Sequence, residues 1–265
     1  MNSAAHDPTG GARTFDALAT DYDGTIAHDG IVDQPTRQAL ERARAFGIRL
    51  ILVTGRELPS LFNTFDQTDL FDRIVAENGA VLYDPLTKAV ELLAPPPPPA
   101  LLERLTAQNV PLSVGHSIVA TVEPHEHQVL TAIHDLGLEW HVIFNKGAVM
   151  ALPIAITKAT GLVPVLSALG IAHERTIGVG DAENDQAFLA SCGLAVAVAN
   201  ALPSVKEAAQ IVTAGARGAG VTELIERLIR GDLAGFTGES PTAQSSRASS
   251  SHEPGADYIR AAAVK

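Results

Sequence analysis

Asp21-Tyr22-Asp23-Gly24-Thr25 is the stretch that decides the fold, and it follows the apolar residues 17–19 after one threonine. An apolar run that gives way to a glycine-containing loop predicts a buried strand with these residues at its end. Two carboxylates one residue apart can ligate a metal ion or serve as a nucleophile and an acid. An EF-hand loop is excluded, because its sixth position requires Gly and its twelfth Glu, and counting from Asp21 these are Ile26 and Val32.

Three more polar stretches follow apolar or helix-forming segments in the same way. Thr54-Gly55-Arg56 follows the apolar run 48–53, Lys158 opens a predicted helix, and the run from Gly180 to Asp185 follows the strand 176–179. Strands that alternate with helices predict an α/β fold with a Rossmann-like parallel sheet. Ligands of such sheets bind at the carboxyl ends of the strands. We therefore expect one cleft to collect Asp21, Asp23, Thr54, Lys158 and Asp181.

The pattern changes between the second and third of these stretches. Five prolines at 95–99 predict a stiff extended spacer at a domain boundary. Residues 101–152 then give the order αββαββ, which predicts a small antiparallel sheet with two helices on one face. We divide the chain into a disordered arm (1–13), a catalytic core (14–94 and 154–231), an inserted cap domain (95–153) and a disordered tail (232–265).

Composition narrows the possible partners and the compartment. The formal net charge of −11 disfavours nucleic acid and anionic membranes, which normally need a basic surface. The single cysteine, Cys192, cannot form an internal disulfide, and neither a signal pattern nor an apolar run of membrane-spanning length is present. We predict a cytoplasmic protein.

The order and spacing of the four stretches resemble those of the haloacid dehalogenase superfamily of phosphatases. The αββαββ insertion resembles the cap of its Cof-type branch, subfamily IIB with a C2-type cap, and the resemblance covers residues 15–230. It implies a Mg²⁺-dependent phosphomonoesterase that acts on a small phosphorylated metabolite, such as a sugar phosphate or phosphoglycolate. The reaction would pass through an aspartyl-phosphate.

The resemblance also implies roles for individual residues. Asp21 would be the nucleophile, and Asp23 would protonate the leaving group and then activate water. The substrate phosphate would bind Thr54, Gly55 and Lys158. The metal ligands would be Asp21, the backbone carbonyl of Asp23 and Asp181, supported by Asn184 and Asp185. Seen alone, Thr54 is more often a helix N-cap and Lys158 a solvated first-turn lysine.

Two other functions stay open at this point. A phosphomutase would bind a second phosphate with several cations of the cap. Around the cap we count only Lys88, Arg104 and Lys146 against six carboxylates, which disfavours this function. A catalytically silent interaction domain would not need the pair Asp21 and Asp23. His125-Glu126-His127 is interpreted as a solvated turn, because residues two apart on a helix do not share a face.

The sequence also makes predictions for two helices of the core. Pro164 should kink or restart the helix that Lys158 opens. The last helix is predicted over 221–229.

Overall fold

The main sheet determines where the candidate site residues lie. The computed structural model describes residues 14–236, and strands are numbered in chain order through both of the sheets found there. The main sheet contains β1 (Ala17–Asp21), β2 (Arg49–Val53), β3 (Arg73–Ala76), β4 (Val81–Tyr83), β5 (Val90–Leu92), β10 (Thr176–Gly180), β11 (Leu194–Ala197) and β12 (Ile211–Val212). Their order across the sheet is β12-β11-β10-β1-β2-β3-β4-β5.

The direction of the chain changes beside β1. From β1 the chain proceeds to β2 and β3 on one side, and it later returns to β10 on the other, with parallel pairing at each step. Strands β4 and β5 add an antiparallel edge. Every residue of β1 is buried, as its near-continuous apolar sequence requires of a strand covered on both faces. The predicted α/β fold with a parallel sheet is thus confirmed, and its topological switch point lies between β1 and β10.

Helices cover the sheet and also build the cap. The helices within residues 14–236 are α1 (Gln34–Ala45), α2 (Leu58–Thr64), α3 (Pro99–Ala107), α4 (Glu126–Asp135), α5 (Lys158–Leu169), α6 (Gln186–Ser191), α7 (Pro203–Ala208) and α8 (Arg217–Arg230). Helix α1 begins where Asp33 accepts a hydrogen bond from the backbone of Thr36, and it buries Ala39, Leu40 and Ala43. No helix of the described residues has the length and apolar content needed to cross a membrane.

The inserted segment has its own sheet and its own apolar cluster. Strands β6 (Ser113–Val114), β7 (Val119–Val122), β8 (Trp140–Asn145) and β9 (Ala148–Pro153) pair in the antiparallel order β6-β7-β9-β8. Leu101 and Leu105 of α3 pack with Val129 and Ile133 of α4 against this sheet. With α3 and α4 the segment follows the predicted order αββαββ. We propose 95–153 as the bounds of this cap.

Four sequence expectations need correction. Pro99 opens α3 instead of ending the spacer, because the first helical turn needs no N–H from that residue. Helix α5 is continuous through Pro164, so it does not restart there. Helix α8 begins at Arg217, four residues early. Leu233, placed in the disordered tail, is buried against the core. The arm 1–13 and tail residues 237–265 lie outside the described residues.

One buried carboxylate of the core binds the backbone of the cap. Glu77 follows β3 and is fully buried. Its oxygens accept hydrogen bonds from three successive backbone amides of the cap, those of His116 (2.9 Å), Ser117 (2.9 Å) and Ile118 (3.1 Å). The His116 ring nitrogen Nδ1 lies 3.1 Å from the same carboxylate. A buried carboxylate is tolerated because these donors replace the water it loses.

Candidate active site

The register of the main sheet brings the predicted residues to one edge. Asp21 pairs with Val53, and Thr20 pairs with Val179. The residues that follow these strands, Thr54 and Asp181, therefore lie beside Asp21 at the carboxyl ends of the strands. This edge contains the topological switch point, where α/β sheets bind ligands.

Three buried aspartates form the centre of the site. Asp21, Asp181 and Asp185, which we call the carboxylate cluster, each offer an oxygen within 4.8 Å of the others. The Thr25 hydroxyl lies 3.2 Å from an oxygen of Asp21 and 3.3 Å from one of Asp181, so it can donate to either. The cluster brings the first and the last predicted stretches into direct contact.

Lys158 neutralises part of this charge. Its Nζ lies 2.5 Å from Asp21 Oδ1 and 2.6 Å from Asp185 Oδ1, and its side chain is only 2% exposed. Burial by itself would lower the pKa of Lys158, but the charges of Asp185 and Asp21 outweigh it and raise that pKa. Burial, with the repulsion of Asp185, raises the pKa of Asp21 to about 7. The alternative of a solvated first-turn lysine is therefore wrong.

The surroundings of Asp181 fit a divalent cation. Burial raises the pKa of the Asp181 carboxyl against the lowering effect of Lys146, so a further cation would favour its charged form. Gly24 (φ +89°) keeps the space beside it open, because a Cβ there would overlap the Asp181 carboxylate. The buried Oδ1 of Asn184 has no hydrogen-bond partner in the described residues. All these groups offer oxygen, the ligand atom that hard cations such as Mg²⁺ prefer.

Asp185 and Asn184 make different contacts within this loop. One Asp185 oxygen accepts hydrogen bonds from the backbone amides of Asp181 and Ala182, both at 2.9 Å, while the other holds Lys158. Asn184 donates to the Asn78 side chain at 2.9 Å. Asp185 thus fixes the backbone that presents Asp181.

The Asp23 side chain faces a partner that sequence reasoning missed. Both of its oxygens accept hydrogen bonds from the Arg56 guanidinium, at 2.6 and 2.8 Å. Its backbone carbonyl points to the other side, where it accepts a hydrogen bond from Lys146 Nζ at 2.8 Å. Side chain and carbonyl of Asp23 thus serve different parts of the site. Arg56 belongs to the Thr54-Gly55-Arg56 stretch that the sequence pointed out. The resemblance implied phosphate binding only for Thr54 and Gly55.

Thr54 is fully buried and does not cap a helix. Its Oγ1 accepts a hydrogen bond from the Arg56 backbone amide at 3.1 Å, whereas the next helix, α2, begins only at Leu58. The N-cap alternative is therefore wrong. The hydroxyl proton of Thr54 remains available to a ligand.

A cavity between core and cap adjoins the carboxylate cluster. It has a volume of about 590 Å³, and the turn of the β8–β9 hairpin reaches into it. Lys146 in that turn places Nζ 3.0 Å from Asp181 Oδ2. Sequence reasoning counted Lys146 as a cap cation and gave it no role, because no local pattern shows where a hairpin tip will dock.

Comparison with known proteins agrees with this arrangement. A family model described as haloacid dehalogenase-like hydrolase matches residues 18–96 and 115–225. The phosphoglycolate phosphatase of Methanothermobacter thermautotrophicus is 29% identical over 230 residues, covering 80% of this chain and 98% of that protein. That of Metallosphaera sedula is 29% identical over 233 residues, with coverage of 80% and 98%.

Solved structures share the fold at lower identity. A HAD/COF-like hydrolase from Plasmodium vivax has a TM-score of 0.71 at 20% identity, covering 82% of this chain and 96% of that one. A haloacid dehalogenase-like hydrolase from Bacteroides thetaiotaomicron has a TM-score of 0.69 at 21% identity, covering 81% and 99%.

Proposed function

The chain belongs to the haloacid dehalogenase-like hydrolases of the Cof type, and from this membership we propose that it hydrolyses a small phosphorylated carboxylic acid such as phosphoglycolate with Mg²⁺. The chain is a phosphatase. The substrate proposal rests on relatives that are named phosphoglycolate phosphatases.

The contact between Asp21 and Lys158 is the observation that carries the proposal. A phosphate monoester is a dianion, so a carboxylate that attacks it needs nearby positive charge on the oxygens. Lys158 supplies that charge 2.5 Å from Asp21 Oδ1, and the available Thr54 hydroxyl lies at the same sheet edge. Attack by an Asp21 oxygen on phosphorus would form the aspartyl-phosphate, while Lys158, Thr54 and the Gly55 amide would bind the phosphoryl oxygens.

Asp23 is proposed as the acid and base of the two steps. It would protonate the departing alkoxide and later take a proton from the water that hydrolyses the aspartyl-phosphate. Both of its oxygens accept hydrogen bonds from Arg56, which hold the carboxylate in one orientation and leave a lone pair on each oxygen for a proton. Arg56 is therefore proposed as a residue that positions Asp23.

The cation would be held by Asp21, the Asp23 carbonyl and Asp181. When bound, it would supply positive charge to the phosphate oxygens and offset the repulsion within the carboxylate cluster. Asn184 and Asp185 would support this site, the former through its unpartnered Oδ1 and the latter through the backbone of Asp181.

Measurement of phosphate release tests the proposed function directly. The purified protein would be assayed with phosphoglycolate, sugar phosphates and an aryl phosphate, with magnesium or with EDTA. We expect magnesium-dependent release, with the highest kcat/KM for phosphoglycolate. Release that is equally fast in EDTA would contradict the metal, and preference for a sugar phosphate would contradict the proposed substrate class.

Replacement of Asp23 by Asn should affect poor leaving groups most. An alkoxide needs a proton to depart, whereas an activated aryl oxide does not, so we expect a loss of about 10²- to 10⁴-fold on phosphoglycolate. On the aryl phosphate the loss should be at least about tenfold smaller, because only the water-activating step is impaired. Initial rates on both substrates measure the difference. Equal losses would remove Asp23 from the acid role.

A further inference from the structure

A lysine of the cap makes contacts in the cavity that have no role so far. We propose that Lys146 is a specificity-determining residue, whose ammonium binds the carboxylate on the leaving-group side of the substrate. This inference rests on the proposed function and adds a residue that recognises the substrate class.

Lys146 occupies a backbone position that does not favour lysine. It forms the turn of the β8–β9 hairpin with Gly147, and its φ is +51°. Asn and Gly adopt this left-handed conformation readily, whereas other side chains incur a steric cost there. The turn would therefore be more stable with Asn. Lys146→Asn should therefore leave the turn intact.

The ammonium of Lys146 is directed at the core and keeps a donor free. Its hydrogen bonds in the described residues run to the Asp23 carbonyl oxygen (2.8 Å) and to Asp181 Oδ2 (3.0 Å). A lysine ammonium has three N–H donors, so one remains for a ligand. A divalent cation that took those two oxygens would release the other donors as well. The side chain is 53% exposed toward the cavity, so it can follow a ligand.

The charges around the cavity favour one place for a second anionic group. Asp29, Glu123 and Glu183 line it and repel anions. Of the nearby cations, Arg56 is held by Asp23 and Lys158 by the carboxylate cluster. The cavity itself is lined by Lys146 and Arg217, together with His28. A substrate carboxylate near the catalytic edge would thus be attracted to Lys146, whose Nζ lies 3.0 Å from Asp181 Oδ2.

No second cap cation can take over this task. Residues 95–153 contain two Lys or Arg, and the other, Arg104, pairs with Asp135. Lys88, counted with the cap from sequence, lies in the β4–β5 hairpin of the core. A cap with a single cation at the site suits a carboxylate better than the second phosphate of a phosphomutase substrate.

The distances favour a short substrate. Lys146 Nζ is 3.0 Å from Asp181, which offers an oxygen within 4.8 Å of one on Asp21. A molecule with one or two carbon atoms between phosphate and carboxylate can span from the nucleophile to this ammonium. Longer substrates would have to pass beside it into the cavity.

The test compares two substrates of equal length in Lys146→Asn, a change that suits the turn and removes the charge. Phosphoglycolate carries the carboxylate, and 2-hydroxyethyl phosphate replaces it with an uncharged alcohol. We expect kcat/KM for phosphoglycolate to fall about 10- to 100-fold, mainly through KM, and to change less than about threefold for 2-hydroxyethyl phosphate. Lys146→Arg should restore part of the loss. Lys88→Met is the matched control, because Lys88 also lies in a hairpin turn with positive φ (+63°).

Calorimetric binding of both compounds to Asp21→Asn protein, with and without Lys146→Asn and in the presence of magnesium, provides a readout that needs no turnover. Weaker binding of phosphoglycolate alone is expected. Equal weakening of both compounds, or of neither, would overturn the role of Lys146. Absence of phosphate release by the wild-type protein would overturn the proposed function instead, and the binding comparison would still decide the inference.

Discussion

Replacement of Asp21 by Asn should reduce phosphate release by at least about 10⁴-fold, because the proposed nucleophile is lost. Asn has almost the same shape, and its oxygen can still accept the hydrogen bond that Lys158 now donates to Asp21 Oδ1. Burial already holds the pKa of Asp21 at about 7, so the folded protein accommodates an uncharged side chain there. Initial rates, together with covalently bound phosphate in acid-quenched protein, measure the effect.

Asp66→Asn is a suitable control, because the Asp66 side chain is 81% exposed and lies in the same domain.

The stability of the Asp21→Asn variant should depend on pH in a defined direction relative to the wild type. The folded pKa of Asp21 lies above the ordinary 3.8, so the unfolded chain releases this proton first as pH rises. In EDTA, the wild-type protein should therefore lose stability relative to Asp21→Asn as the pH rises from about 4 to about 7. The unfolding midpoints of both proteins across this range measure the difference. Phosphate trapped on the Asn variant would contradict the nucleophile assignment.

Replacement of Lys158 by Met should damage both stability and activity. Loss of the ammonium leaves Asp21 and Asp185 buried without their cation, and removal of one partner of a buried ion pair typically costs about 3–5 kcal/mol. The phosphoryl group loses a positive charge at the same time, which should lower kcat by about 10²- to 10³-fold. Thermal unfolding and phosphate release, each measured with magnesium, test the two effects.

Lys206→Met, in the partly exposed α7, should change neither quantity appreciably. The double variant Lys158→Met, Asp185→Asn should be less destabilised than the sum of the single variants, because it removes one of the stranded charges. Additive effects would show that Lys158 and Asp185 do not interact in the folded protein.

The catalytic edge could be predicted because it depends on two regular features. Apolar runs such as 48–53 mark strands buried on both faces, and parallel strands gather the residues that follow them at one edge. These features placed Asp21, Thr54 and Asp181 together from sequence. The order of strands and helices in the cap was equally regular.

Other contacts could not be predicted, because they depend on how separately folded pieces meet. The Arg56 guanidinium reaches Asp23 across 33 positions only through the path of the loop before α2. The docking of the cap decides where the tip of the β8–β9 hairpin, and thus Lys146, lies. Helix α8 begins before its predicted start at residue 221, and a Cβ on Gly218 in this added turn would overlap Thr36 of α1, so close helix packing requires a small residue there.

The buried Glu77 carboxylate recognises main-chain amides in the cap, with the His116 ring as its only side-chain partner among the described residues. Any loop that presents three successive N–H groups can bind this carboxylate. Residue 115 must be small, because a Cβ there would overlap the Glu77 side chain. At this contact, core and cap can therefore change sequence independently. A chimera that keeps this loop and exchanges the rest of the cap should fold with the core and cap in contact. One catalytic core could then be combined with caps that recognise different substrates.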